Sequence, residues 1–142
     1  MGEGGGEGVT SSDDRPLVLI VEDDRQAVDL LTLHLTGAGC QVVAALDGVE
    51  GLTRARQLLP AVIILDVILP RLDGWEFLKQ AKADPNVASI PVVVVSVVDE
   101  RNKSFSLGAA EQLLKPISRD SLIAALRRLG VVGATSRLGP RQ

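Results

Sequence analysis

Residues 61–66 read AVIILD, five apolar residues closed by one carboxylate. So short a run does not make a helix of ordinary length. It does not alternate either, so it reads as a strand covered on both faces, the pattern of a parallel sheet. Residues 17–21, 42–45 and 92–95 repeat the pattern, and 111–114 is a weaker fifth. The segments between carry helix signals. Over residues 24–38, Ala27, Val28, Leu31, Leu35 and Ala38 form one apolar stripe. Asp47 precedes Glu50, and Asp73 precedes Glu76, at the spacing of a capping box. Residues 99–107 suit a shorter helix ended by Gly108, and Ser118 opens a last helix with Leu122, Leu126 and Leu129 on one face. Strand and helix alternate throughout. Parallel strands need helical crossovers, so the order implies a doubly wound α/β fold with a five-stranded parallel sheet in the order 2-1-3-4-5.

Composition bounds the rest. The chain has 142 residues, 46% hydrophobic and 23% charged, which fits one domain over residues 16–130. A Gly-rich leader at 1–15 is expected to be disordered, and residues 131–142 to form a flexible tail. Net charge is −3 with basic residues scattered, and the aromatics are only Trp75, Phe77 and Phe105. No nucleic-acid surface or base-stacking platform is expected. Cys40 is alone, so it offers no internal disulfide and reads as a small buried hydrophobe. No apolar run approaches the roughly 18 residues that span a bilayer, and the N-terminus lacks the apolar core of a signal peptide. No membrane partner and a cytoplasmic location are the resulting expectations.

In such a sheet, ligands bind outside the carboxyl ends of the strands, where strands 1 and 3 part. Strand 1 delivers Glu22, Asp23 and Asp24 there, strand 3 Asp66, strand 4 Ser96 and strand 5 Lys115. Crowded carboxylates repel one another and raise their pKa values. A hard divalent cation relieves this, and Mg²⁺ takes such oxygen ligands while keeping several waters. Asp66 is the candidate nucleophile, because a carboxylate can form an acyl phosphate. Mg²⁺, the Lys115 ammonium and the Ser96 hydroxyl can then hold the three phosphoryl oxygens, and phosphoryl transfer needs mainly such positioning and charge neutralisation. Singly, each residue has a structural explanation. Asp23 can cap the first helix with Gln26 closing a box, Asp66 can end a strand, and Lys115 can be a surface lysine. His34 reads as a helix residue, Trp75 as packing in or beside the third helix, and Arg127 and Arg128 as suiting the dipole of the last.

Four stretches then carry a resemblance: IVEDD at 20–24, LDVILPRLDGWEFL at 65–78, PVVVVS at 91–96 and LGAAEQLLKP at 107–116. Together they make the sequence resemble the receiver domains of two-component response regulators and hybrid histidine kinases, over about residues 17–129. The resemblance implies a flavodoxin-like fold and phosphorylation on Asp66. It implies that Asp23 ligates Mg²⁺, Glu22 supports it, often through water, and the backbone carbonyl of Ile68 completes the protein ligands. Ser96 would be the switch hydroxyl and Lys115 the contact to the phosphoryl group, with a cis Lys115–Pro116 bond. The implied partners are a histidine kinase or phosphotransfer protein as donor and a downstream protein on the helix 4–strand 5–helix 5 face. Catalysis would be limited to self-phosphorylation and autodephosphorylation. Two positions depart from the family pattern. Glu22 stands where Asp is commoner, and Gln112 stands where many members carry the Tyr or Phe that rotates as the switch hydroxyl moves. Gln112 keeps open an alternative, a phosphorylation-independent interaction module of the pseudo-receiver kind. A haloacid-dehalogenase-like phosphatase would need a second Asp at position 68, where Ile cannot serve as acid or base.

Overall fold

The computed structural model describes residues 14–133. The expected disorder of the leader and tail therefore falls, for residues 1–13 and 134–142, outside the described residues. Strands β1 (Leu17–Val21), β2 (Gln41–Ala45), β3 (Val62–Asp66), β4 (Val92–Ser96) and β5 (Glu111–Leu114) alternate with helices. These are α1 (Arg25–Gly37), α2 (Gly48–Leu58), α3 (Gly74–Ala83), α4 (Arg101–Ser106) and α5 (Arg119–Arg128). The strands pair in parallel in the order β2-β1-β3-β4-β5, as the sequence pattern implies.

Successive side chains leave a strand on opposite faces, and here both faces are covered. Leu19, Val21, Ile63, Leu65, Val92 and Val94 pack with Leu52 and Ala55 of α2 and Phe77, Leu78 and Ala81 of α3. Val18, Ile20, Val62, Ile64, Val93 and Val95 pack with Val28, Leu31 and Leu35 of α1 and Leu122 and Leu126 of α5. Every residue of β3 and β4 is buried, whereas the edge strand β2 is mostly half-buried. Cys40 is fully buried beside the α1–α5 layer. Packing runs past residue 130: Val131 and Val132 lie against the same layer, and the Val131 N–H reaches the Leu126 carbonyl at 2.9 Å.

Side-chain caps start every helix but α4. Asp47 accepts from the Glu50 N–H at 2.8 Å and Asp73 from the Glu76 N–H at 2.9 Å, as expected. Glu50 reaches back one residue further than a standard box, to the Leu46 N–H. The cap of α1 is Asp24, which accepts from the Gln26 N–H at 3.0 Å. Asp23 is thus not the cap. Ser118 caps α5 through the Ser121 N–H.

Gly74 fixes how α3 meets the end of β3. It is the first residue of α3, and its N–H donates to the Val67 carbonyl at 2.8 Å. A methyl group there would run into the Val67 backbone and come to 2.5 Å from the Asp66 carbonyl oxygen. Backbone cannot swing aside as a flexible side chain can. Gly74→Ala is therefore expected to destabilise the fold by about 1–3 kcal/mol through overpacking, against up to about 1 kcal/mol that alanine gains in helix propensity. A urea unfolding midpoint equal to or above that of the wild type would contradict the close approach.

Candidate functional site

The carboxyl edge of the sheet gathers the residues singled out from sequence. Asp66 is the last residue of β3 and is 7% exposed. Its Oδ1 accepts from the Ile68 N–H at 3.2 Å. Glu22 follows β1 directly and is 3% exposed. Its backbone N–H continues the sheet ladder to the Ala45 carbonyl, and its Oε2 accepts from the Asp24 N–H at 3.1 Å. Lys115 follows β5, and its N–H donates to the Ser96 carbonyl at 2.8 Å. That bond aims the side chain across the end of β4. The Lys115 Nζ lies 3.2 Å from Glu22 Oε1 and 3.3 Å from Asp66 Oδ2. Residues 93 and 49 positions away in sequence are thereby held by one ammonium. The Lys115–Pro116 bond is cis, as the resemblance implies.

Asp23 is the exposed member of the group. Glu22, Asp23 and Asp66 each offer a carboxylate oxygen, all within 4.8 Å of one another. Two buried carboxylates and one open to water suit a cation that binds oxygen and keeps part of its hydration shell, as Mg²⁺ does. Ser96 ends β4, is 4% exposed, and its Oγ accepts from the Val98 N–H at 3.1 Å. Ile68 lies on the rim and is 72% exposed. Val97 and Val98 are also exposed there.

Burial, then the bond shared with Asp66 and its charge, pushes the Glu22 carboxyl up to about 7, although the Asp24 N–H and Lys115 pull it back. Burial alone would lower the pKa of the Lys115 ammonium, but Asp66 and Glu22 together hold it above its ordinary value. The site thus holds more negative charge than Lys115 can offset.

Three features of the site region were not legible. Glu22 pairs directly with Lys115. Lys103 of α4 lies over the Trp75 ring at 4.4 Å from its centroid. The Gln112 side chain bonds both Ser104 and Val98. His34 is half-buried on α1 and lines a cavity of about 390 Å³ beside Glu22 and Lys115.

Residues 18–127 match the model of the response regulator receiver domain. The chain belongs to this family. It is similar to the DNA-binding dual master transcriptional regulator RpaA of Synechocystis, with 34% identity over 117 residues, 80% of this chain and 48% of RpaA. It is similar to the protein PilH of Pseudomonas aeruginosa, with 31% identity over 112 residues, 77% of this chain and 93% of PilH. Among solved structures, the chemotaxis response regulator CheY4 of Vibrio cholerae superposes with a TM-score of 0.77 at 28% identity, over 81% of this chain and 98% of that one. The chain spans under half of the length of RpaA and a quarter of the response regulator PleD of Caulobacter vibrioides, 25%. Receiver domains are signalling modules of two-component phosphorelays, and they interact with histidine kinases or phosphotransfer proteins. The expectation of no nucleic-acid partner finds no support here, because RpaA is named as DNA-binding. No helix among the described residues is long and apolar enough to cross a membrane.

A carboxyl whose pKa is raised by folding stabilises the folded state below its unfolded pKa and loses that contribution as pH rises through its folded value. For Glu22 the window runs from 4.5 to about 7. In chelator, the stability of the wild type relative to Glu22→Gln is expected to fall across this window, on the order of 3 kcal/mol at 1.36 kcal/mol per pKa unit. Millimolar Mg²⁺ should remove the fall. A difference that stays flat with pH in urea titrations would contradict the charge balance described.

Proposed function

We propose that the chain accepts a phosphoryl group on Asp66 from a histidine kinase or phosphotransfer protein, in a Mg²⁺-dependent reaction, and thereby changes which protein docks on the α4–β5–α5 face. The observation that carries this reading is the position of Asp66. It ends a fully buried strand, touches the Lys115 ammonium, and lies in the one group of three acidic residues able to hold a metal among the described residues.

In the transfer, an Asp66 carboxylate oxygen attacks the phosphorus of a phosphohistidine. The P–N bond breaks, the imidazole leaves with the electron pair, and an acyl phosphate remains on Asp66. Lys115 takes up part of the phosphoryl charge while still facing Glu22. The Ser96 hydroxyl donates to another phosphoryl oxygen. Asp23, Glu22, Asp66 and the Ile68 carbonyl would hold Mg²⁺, which supplies neutralisation of the remaining charge. Water attack on phosphorus then breaks the P–O bond and releases inorganic phosphate, so the signal ends without a second protein. Exposed Ile68, Val97 and Val98 beside the acceptor offer apolar ground for the donor. We place this activity in the cytoplasm, where such donors act.

Gln112 in place of the usual aromatic favours a second reading, an interaction module that works without phosphorylation. The two part in one experiment. Acetyl phosphate or phosphoramidate with Mg²⁺ is expected to add a single phosphoryl group by intact-mass spectrometry. Asp66→Asn should abolish the increment, and Lys115→Ala should slow it by at least about tenfold, the scale of a lost charge contact. No increment in the wild type would leave the module reading in its place, and one that survives Asp66→Asn would rule out Asp66 as the acceptor.

A further inference from the structure

Helix α4 is held in an unusual way. One of its six residues is buried, and that residue is Ser104. Its large apolar side chain, Phe105, is 48% exposed. Apolar burial therefore does little for α4 itself, and apolar packing resumes only at Leu107, beyond its end. Its N-cap, Glu100, makes no side-chain capping bond. Apart from Lys103 over the Trp75 ring, what ties the helix down is polar. The Ser104 Oγ donates to Gln112 Oε1 at 2.9 Å, and the Gln112 Nε2 donates to the Val98 carbonyl at 3.2 Å. The Val98 N–H in turn donates to Ser96 Oγ at 3.1 Å. The orientation of the amide is fixed by chemistry, since a carbonyl can only accept. Hydrogen bonds joined through the Val98 backbone, from its N–H to its carbonyl, thus link Ser96, beside Asp66, to the buried hydroxyl of α4.

We propose that Gln112 is a positioning residue that couples the Ser96 hydroxyl to α4 through the backbone of Val98. This rests on the reading of Asp66 as phosphoacceptor. When the Ser96 hydroxyl turns to donate to a phosphoryl oxygen, its oxygen leaves the Val98 N–H. The peptide between Val97 and Val98 is then free to rotate, and a turn about the Val98 backbone dihedrals carries the carbonyl of the next peptide, that of Val98, off the Gln112 amide. Gln112 loses one of the two bonds that order it, and Ser104 loses a fixed acceptor. With little apolar surface to hold it, α4 shifts toward an open state. A segment held by few buried apolar contacts is the kind that opens locally, and an order–disorder change of one short segment is a known form of switch. An amide suits the task because it accepts from a hydroxyl and donates to a carbonyl at once. A phenylalanine at position 112 could do neither.

The test is amide hydrogen exchange over residues 97–106 with and without beryllofluoride and Mg²⁺, beside phosphoryl uptake from acetyl phosphate by intact mass. In the wild type, beryllofluoride is expected to speed exchange in α4 by about fivefold or more. Gln112→Met keeps the length and loses both bonds. Gln112→Glu keeps the acceptor for Ser104 and loses the donor for Val98, which guards against a misfolded first variant. Both should show fast α4 exchange before any addition and little further response, while still taking up the phosphoryl group. A merely structural glutamine would raise basal exchange yet leave the beryllofluoride response intact, and that result overturns the coupling. So does a wild type that takes up phosphoryl with no change in α4. A wild type that takes up none overturns the phosphoacceptor reading, and the coupling falls with it.

Discussion

One ammonium among carboxylates is the constraint on which the rest of the molecule depends. Lys115 bridges Glu22 and Asp66 at 3.2 and 3.3 Å, in a site where both carboxylates are nearly shut off from water. Buried charge is costly unless paired. Glu22 shows that cost, since its carboxyl holds its proton up to about 7. With all three acids ionised, Glu22, Asp23 and Asp66 outnumber Lys115 by two charges, the charge of one divalent cation. The same imbalance suits the site to a cation.

The sheet order makes that meeting possible. β1 and β3 are neighbours although a helix, a strand and a second helix separate them in the chain, so Glu22 and Asp66 end side by side. β5 lies two strands from β3, roughly 10 Å at ordinary strand spacing. Only a long cationic side chain can reach back over the end of β4 to both carboxylates. The Lys115 N–H bond to the Ser96 carbonyl sets the starting point of that reach. Both β3 and β4, which end at Asp66 and Ser96, are buried along their whole length.

Much of this was legible in the chain itself, for physical reasons. Runs such as residues 61–65 are too short and too uniformly apolar for anything but a covered strand, and helical crossovers then force parallel pairing. The end of the third strand was read a residue short, with Asp66 set just after it, whereas the fourth was ended at Ser96 as the structure has it. The polar side chain of Asp66 ends the apolar run, yet the strand continues through it. Asp23 was the candidate cap of α1, yet Asp24 takes that place and Asp23 instead offers its carboxylate toward Asp66. The partnership of Ser104, Gln112 and Val98 had no signature, because side-chain bonds across 8 and 14 residues follow no period. The Arg128–Glu111 pair between α5 and β5 was hidden for the same reason. Kinship with longer regulators adds that the receiver is a shared part, joined in different relatives to different lengths of chain.

The most direct measurement is anomalous scattering from crystals of this protein soaked in Mn²⁺, an oxygen-preferring stand-in for Mg²⁺. The expected result is one strong peak bonded to carboxylate oxygens of Asp23 and Asp66, with Glu22 beside it and Lys115 facing it. A peak elsewhere on the surface, or Asp23 and Asp66 turned into separate hollows with no metal between them, would contradict the shared-cation site.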